Sequence, residues 1–265
     1  MRRRFMCGSF LNILSFDPVD WDRQLAVADS LEGLDHLEVW LEWIPESRVE
    51  LRSVQRILDG RKVTFHGPFV GMSLVSPWDE LRQISEARIA RACEVASSCG
   101  ARSVTVHSGS TFFTTNHSQA LDWLASSLER LTKDLDSIDL LIENMMRRAG
   151  VMYEPVVAVN DMRSLIERYP DVRFTLDVGH AIQSGLDPGG MLSAIGSSLS
   201  NIHLHDGISA GQAHLELGAG ELDLDQFVQD LVRSDYRGLL SLEVLTVEAL
   251  IRSWEVLETV YSRRM

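Results

Sequence analysis

The sequence predicts an α/β fold, a single closed (β/α)8 barrel over residues 1–265 taken as one domain. Three observations carry this expectation. Eight short apolar runs recur along the chain, with starts about 30 to 40 residues apart, the length of a βαβ unit. Helix-like segments with recognisable ends lie between them, and such alternation implies a parallel sheet. No linker, low-complexity stretch or composition break divides the 265 residues, and eight units in about 250 residues favour closure over an open sheet. At about 150 residues per domain the length alone would also admit two domains. The chain lacks a GxGxxG turn after its first strand, so a dinucleotide-binding sheet is poorly supported.

Strands are expected at Arg4–Phe10, His36–Trp40, Val63–Phe65, Ser103–Val106, Leu140–Ile142, Phe174–Val178, Ile202–Leu204 and Leu239–Val244. Most read as nearly continuous apolar runs, the mark of strands buried on both faces. The basic start Met1-Arg2-Arg3-Arg4-Phe5 imitates a signal peptide. The run that follows is broken at Gly8, Ser9 and Asn12 and has no small-residue cleavage pattern, so it reads as the first strand.

Between the strands, Ser76-Pro77-Trp78-Asp79-Glu80 reads as an N-cap, a proline at the first helical position and an acidic first turn. That helix carries Leu81, Ile84, Ile89, Ala92 and Val95 on apolar spacing and stops at Gly100. Asn116 caps a helix with Leu121, Leu124, Leu128 and Leu131 on one face. Asn160 begins another, which ends before Tyr169-Pro170. Asp223 starts one through Phe227 and Leu231, and Thr246 starts the last.

Composition narrows the function. With 45% hydrophobic and 24% charged residues the chain is an ordinary globular one with enough length for a large core. Lys+Arg is 25 against Asp+Glu 38, a net charge of −13, which repels polyphosphate backbones and anionic membrane surfaces. No run approaches about 18 apolar residues, so no membrane span is expected. Cys7, Cys93 and Cys99 form neither a disulfide framework nor a metal knuckle and read as reduced core thiols, with the cytoplasm as the expected location.

The informative residues follow the apolar runs. Val63-Thr64-Phe65 ends at His66, Val104-Thr105-Val106 at His107, Leu140-Leu141-Ile142 at Glu143, and Phe174-Thr175-Leu176 at Asp177, with His180 three residues on. Ile202 meets His203, then Leu204-His205-Asp206, and Leu240-Ser241-Leu242 ends at Glu243. In a parallel barrel these ends converge on one mouth, where barrel enzymes place their chemistry. One such histidine is ordinarily a hydrogen-bonded core residue. Six metal-capable side chains on six successive strands predict a divalent cation site instead. His203 is expected to point inward and His205 to lie outside the ligand set. His36 opens its strand and His117 follows a helix cap, so both read as structural or solvent-exposed. Arg147-Arg148 reads first as a solvated loop, with contact to an anionic substrate as the alternative. Trp40, Trp43 and Trp78 fall near the mouth, where aromatic faces pack on sugar rings, although rim packing explains them equally well.

The ordered set Phe65-His66-Gly67-Pro68-Phe69, Val106-His107-Ser108-Gly109, Leu141-Ile142-Glu143-Asn144, Leu176-Asp177-Val178-Gly179-His180-Ala181, Ile202-His203-Leu204-His205-Asp206 and His214-Leu215-Glu216-Leu217-Gly218-Ala219-Gly220 resembles the xylose-isomerase-like TIM barrels. That superfamily includes the sugar-phosphate isomerase/epimerase family and the endonuclease IV-type apurinic-site endonucleases. The resemblance spans essentially the whole chain.

It implies two mechanisms. In the epimerase branch one divalent metal (Mn2+, Mg2+, Co2+ or Zn2+) is held by residues matching Glu143, Asp177, His203 and Glu243. Glu143 and Glu243 double as the acid–base pair on a small polyhydroxylated carbonyl substrate, and His180 contacts substrate oxygens. In the endonuclease branch three zinc ions act on a phosphodiester. The first uses His66, His107 and Glu143. The second uses Glu143, Asp177, His203 and Glu243. The third uses His180, His214 and an aspartate two residues before His214, where this chain has Gln212. A neutral amide is a poor zinc ligand. With the acidic net charge, this favours a metal-dependent sugar or sugar-phosphate isomerase/epimerase. A zinc phosphoesterase is the first alternative and a non-catalytic sugar-binding barrel the second. Gly218-Ala219-Gly220 reads as a turn rather than a phosphate cradle. The sequence leaves substrate phosphorylation and oligomeric state open, a homo-oligomer included.

Overall fold

A computed structural model describes residues 7–11, 18–42, 51–133, 135, 138–148 and 150–263. In chain order the elements are β1 (Cys7–Leu11), α1 (Pro18–Ser30), β2 (Leu34–Trp40), α2 (Leu51–Leu58), β3 (Val63–His66), α3 (Asp79–Ser98), β4 (Ser103–Val106), β5 (Thr111–Phe112), α4 (His117–Thr132), β6 (Asp139–Glu143), β7 (Met152–Tyr153), α5 (Val159–Arg168), β8 (Arg173–Asp177), α6 (Val178–Gln183), α7 (Pro188–Ile195), β9 (Leu199–Leu204), α8 (Leu224–Arg233), β10 (Leu239–Leu242) and α9 (Val247–Ser262). Eight strands, all parallel, close a barrel in the order β1-β2-β3-β4-β6-β8-β9-β10, with β10 returning to β1. The fold is the (β/α)8 TIM barrel. The eight expected runs coincide with these strands to within a few residues; Arg4–Met6 of the first, and Trp43 and Asn12, lie outside the described residues. The short β5 and β7 form a separate antiparallel ribbon above the barrel ends, an element the apolar pattern did not predict.

The interior differs from the expected apolar filling. Hydrogen bonds join strands that are not neighbours: Thr105 on β4 with Thr175 on β8 at 2.8 Å, Asn201 on β9 to Glu38 on β2 at 3.1 Å, and His36 on β2 with Ser241 on β10 at 3.2 Å. Only side chains facing the barrel axis can meet across it. The strands therefore alternate, with polar residues inward and Leu37, Val39, Phe65, Phe174, Leu176, Ile202 and Leu204 outward against the helices. Outward residues are covered by helices, so both faces are dry, and the runs look continuous when only buried positions are counted.

Helix ends follow local chemistry. Asn116, Asp223 and Thr246 cap α4, α8 and α9 as expected, each accepting a backbone N–H from the first turn. Two expectations shift. Helix α3 begins at Asp79 with Trp78 as N-cap, and Ser76 Oγ accepts the Trp78 N–H at 3.2 Å in the turn before it. Helix α5 begins at Val159 rather than Asn160, because the Asp161 carboxylate reaches back to the N–H groups of Val157 and Ala158 at 3.1 and 2.7 Å. Gly100 follows α3 with φ +78°, the left-handed C-terminal stop that glycine takes without strain. No helix among the described residues is long and apolar enough to cross a membrane.

Cys93 packs in the core with no exposed surface, and burial, helped by the Glu94 charge, pushes its thiol up to about 12. The thiolate is the reactive form, so Cys93 should resist iodoacetamide in the native protein at neutral pH and react on unfolding, as read by peptide mass spectrometry.

Candidate metal centre

The C-terminal ends of the barrel strands carry the site. Glu143 ends β6, Asp177 ends β8, His203 sits one residue before the end of β9, and Glu243 follows β10 directly. All four are buried, and one donor atom from each lies within 4.8 Å of the others. A second convergent group joins it through Glu143. His66 Nε2 and His107 Nε2 are 3.2 Å apart and lie 3.3 and 3.4 Å from the same Glu143 oxygen, Oε2. A third group brings together His205, His214 and Glu243.

His180 and His214 meet with ring centroids 5.5 Å apart, but the nearest carboxylates of the two differ. His180 Nδ1 faces Glu143 and Asp177 at 3.2 and 3.3 Å, whereas His214 Nδ1 faces Glu243 at 3.6 Å.

The two candidate histidines of β9 have separate jobs. His203 Nδ1 faces Glu243 Oε2 at 2.9 Å, inside the quartet. His205 turns to Asp177, with Nε2 3.0 Å from its carboxylate, while its Nδ1 accepts the His214 N–H at 2.9 Å. Nδ1 also lies 3.1 Å from the Asp206 carbonyl, so the ring is held from both sides, with Nε2 toward Asp177.

Sequence reasoning passed over Glu38. It is fully buried in the middle of β2, and its Oε1 lies 2.9 Å from His203 Nε2. With Nε2–H donated to Glu38, Nδ1 is the nitrogen that faces the carboxylates, and it is the one that would be given up to a metal on losing its proton. A carboxylate behind a ligating imidazole fixes its tautomer and raises its basicity. The available signal was a glutamate inside the run His36-Leu37-Glu38-Val39-Trp40, where an unpaired charge would be costly. Asn144 was also missed. Its Oδ1 accepts the Asp177 N–H at 2.8 Å and its Nδ2 donates to the Asp177 carbonyl at 3.0 Å, tying the ends of β6 and β8 together.

Electrostatics keep the acids ionised. Burial alone would raise the Glu143 carboxyl, but the facing imidazoles of His107 and His203 outweigh it and hold it well below the usual range. Glu243 is lowered in the same way, by His203 and His214 against burial. Burial opposes the charged form of His180, yet Asp177 and Glu143 raise it to about 10. His203 is raised well above its ordinary value by Glu38, Glu243 and Glu143, again against burial. Ionised carboxylates are the form that binds a cation.

These residues fit a divalent metal. Glu143 Oε1 and Glu243 Oε2 face imidazole nitrogens at 3.2 and 2.9 Å but make no hydrogen bond among the described residues, and His180 Nε2 makes none either. Three buried carboxylates side by side are costly without a cation among them, and three oxygens with one nitrogen suit Mn2+, Mg2+, Co2+ or Zn2+.

The group opens into a cavity of about 530 Å3. Trp40 and Phe69 stack on its wall with ring centroids 5.0 Å apart, and Arg148 lies on its rim. Arg147 is exposed, and Trp78 is exposed edge-on against Phe112, away from the cavity lining. His36 is buried low in the barrel, and the partly exposed His117 pairs with Asp161 at 3.1 Å. Past the C-terminal end of β9, Asp206 accepts the N–H groups of Gly207, Gly218 and Leu222, each at 2.9 Å. The Gly218-Ala219-Gly220 segment is thus a turn folded onto the protein's own carboxylate.

Comparison with known proteins gives a match over residues 25–259 to the family model described as xylose isomerase-like TIM barrel. An uncharacterized protein of Methanocaldococcus jannaschii is 24% identical over 239 residues, covering 88% of this chain and 91% of its own length. A probable endonuclease 4 of Thermotoga maritima is 24% identical over 116 residues, covering 44% of this chain and 40% of its own. Among solved structures, a D-tagatose 3-epimerase-like protein superposes with a TM-score of 0.84 at 19% identity, over 98% of this chain and 99% of that one. A D-allulose 3-epimerase from Methylomonas sp. in complex with D-allulose superposes with a TM-score of 0.78 at 16% identity, over 99% and 98%. At these identities the structural likenesses speak to the fold.

The packing behind the site is tight at one glycine. A Cβ on Gly179 would fall 1.9 Å from His205 Cε1, and that ring is pinned through both nitrogens. Gly179→Ala should therefore cost about 1–3 kcal/mol by overpacking, measured by urea unfolding, and should shift the His205 imidazole resonances.

Proposed function

The chain belongs to the xylose isomerase-like TIM barrel family, and from that premise we propose that it is a metal-dependent isomerase or epimerase of a small polyhydroxylated carbonyl compound, a sugar or sugar phosphate. The observation that carries this reading is the buried Glu143/Asp177/His203/Glu243 quartet, of which Glu143 and Glu243 line the cavity. The epimerases among the structural neighbours agree with it.

Glu143, Asp177, His203 and Glu243 would hold the metal. When bound, a divalent cation polarises the substrate carbonyl and stabilises negative charge developing on its oxygen. Glu143 and Glu243 are the acid–base pair; neighbouring imidazoles keep both ionised in the free protein, so either can act as the base, and the one that acts as the acid would first take up a proton from solvent or from a substrate hydroxyl. One removes the proton from the carbon beside the carbonyl, and the C–H electron pair moves toward the carbonyl oxygen. The other returns a proton, either to the opposite face of that carbon, inverting it, or to the former carbonyl carbon, moving the carbonyl. The reaction is redox-neutral and needs no co-reactant. His180 and His214 line the cavity and are placed to contact substrate oxygens. Glu38 keeps the His203 ring in its ligating orientation, as Asn144 and His205 do for Asp177.

A second reading rests on the convergence of His66 and His107 on Glu143, which an isomerase does not require. With the partial likeness to the probable endonuclease 4, it points to a zinc phosphoesterase. The net charge of −13 and Gln212 count against that reading.

The two readings separate by experiment. Protein stripped and reloaded with metal should bind about one divalent ion per chain, lose it in Glu143→Ala and Glu243→Ala, and keep it in His66→Ala. Metal-dependent incorporation of solvent deuterium at the substrate carbon should fall at least about 100-fold in Glu143→Gln and in Glu243→Gln. Wild-type exchange in both variants would sink the acid–base assignment. Two or three tightly bound zinc ions, one lost in His66→Ala, together with cleavage of an abasic-site duplex, would establish the phosphoesterase instead.

A further inference from the structure

Above the barrel ends the protein carries an exposed apolar surface that neither the barrel core nor the metal centre uses. Helix α3 opens it with Trp78, its N-cap, and Leu81 one turn on, 54% and 48% exposed. The Trp78 ring meets Phe112 of β5 edge-on with centroids 5.6 Å apart, and Phe112 pairs with Met152 of β7 across the ribbon. Phe113 donates its N–H to the Val151 carbonyl at 2.9 Å, continuing the ribbon by one residue on each side, and both side chains are 65% exposed. Successive residues of a strand point to opposite faces. The ribbon is therefore apolar on both. Phe112 and Met152 face Trp78 and the cavity rim, and Phe113 and Val151 face away from them.

The chemistry of this surface is unlike that of the chain as a whole. A net charge of −13 makes copies of the chain repel one another. Residues 103–121, however, hold no Asp, Glu, Lys or Arg, although 24% of the chain is charged. The exposed part of that stretch, 112–114 and 116–119, consists of Phe, Thr, Asn, His, Ser and Gln. A differently charged protein finds no charge to pair with there, whereas a neutral apolar patch is complementary to itself. The size fits the same partner. At about 150–250 Å2 for a large side chain, the exposed fractions of Trp78, Leu81, Phe112, Phe113, Val151 and Met152 amount to on the order of 600 Å2. A standard interface takes about 800 Å2 from each partner, and homodimer interfaces are about 65% apolar, which asks for about 500 Å2.

We propose that this surface is the interface of a twofold dimer of the chain, with the Phe113/Val151 face of the ribbon at its centre and the Trp78–Leu81 end of α3 at its margin. The ribbon has a physical reason to be covered. Two short strands alone are marginal in water and gain stability from a further packing surface. Twofold symmetry lets one patch cover itself, because each ribbon is the receptor for the other. Met152 belongs both to the ribbon and to the cavity lining, so the second copy stands beside the mouth of the metal centre. The dimer goes beyond the isomerase/epimerase reading and holds whichever chemistry the metal centre performs.

The test is sedimentation velocity of the full chain over a concentration series, with hydrogen–deuterium exchange of the ribbon amides at both ends of the series. The expected species has twice the chain mass and a Kd at or below about 10 μM. The amides of 112–115 and 151–153 should exchange more slowly where the dimer is populated. Phe113→Asp should raise Kd at least about 100-fold, because each half of the interface then buries an unpaired charge. Val232→Asp puts the same charge at an exposed apolar position on α8 and should leave the dimer intact. Phe113 and Val232 are both exposed in the single chain, so both variants should keep the wild-type urea midpoint, read on monomer at the dilute end of the series. A monomer throughout the series, a dimer that survives Phe113→Asp, or a dimer whose ribbon amides gain no protection overturns the proposal. A monomer whose ribbon amides are already protected assigns the face to another segment of the same chain and overturns it as well.

Discussion

The structure depends on the repulsion between carboxylates gathered at one end of the barrel. Glu143, Asp177 and Glu243 present oxygens within 4.8 Å of one another in a buried site. At about 4 Å and an effective dielectric near 20, each pair of like charges opposes folding by about 4 kcal/mol. Neutral side chains could not offset that. Imidazoles can, and they stand on every side: His66 and His107 above Glu143, His180 between Glu143 and Asp177, and His203 between Glu143 and Glu243. The same histidines that balance the acids when protonated offer nitrogen donors to a cation once they give up that proton. The charge that makes the site costly to fold is therefore the charge that makes it bind.

Holding such a cluster in place requires support from below, and the polar barrel interior supplies it. Glu38 accepts hydrogen bonds from His203 Nε2 and Asn201 Nδ2; Asn201 Oδ1 accepts from Ser241, and Ser241 meets His36. This chain runs from β9 across to β2 and on to β10, and its β9–β2 and β2–β10 links tie strands that share no backbone ladder. A barrel filled only with aliphatic side chains would pack as well. It would leave the orientation of the His203 ring free, and a ligand that can rotate loses affinity. The polar interior costs some hydrophobic stabilisation and gives directional control of the ligands.

How much of this was legible in the sequence follows from the range of the forces involved. Strand positions, the three side-chain caps at Asn116, Asp223 and Thr246, and the barrel class were legible, because each depends on residues near one another in the chain. The starts of α3 and α5 were misplaced by two residues and one, since Ser76 Oγ serves the turn before α3 and the Asp161 carboxylate, to which the sequence pattern assigned no role, reaches back to Val157 and Ala158. The cluster residues were legible because strand ends in a parallel barrel share one mouth, so a local pattern becomes a spatial one. Glu38 and Asn144 were not. Their partners, His203 and Asp177, lie 165 and 33 residues away along the chain, and neither sits at the strand-end position that the pattern weighs. The ribbon of β5 and β7 was missed for a similar reason, being two residues on each side with no periodicity to read.

The division of labour along the cavity bears on how one donor set serves unrelated chemistries. The quartet and the His66/His107 pair share Glu143, so the floor is compatible with proton transfer beside a carbonyl and with attack on a phosphoester. What separates the two lies above the floor. A phosphodiester backbone needs cations spaced along its path, and Arg148 is the single lysine or arginine in the described lining. The wall carries instead four methionines, Met72, Met145, Met146 and Met152, and the stacked Trp40–Phe69 pair. An apolar wall attracts a neutral, compact molecule with a hydrophobic face and gives a polyanion nothing in exchange for its lost hydration. The metal-ligand pattern is shared by both chemistries, so what speaks against a longer polyanion is the scarcity of lysine and arginine in the described lining, where Arg148 stands alone.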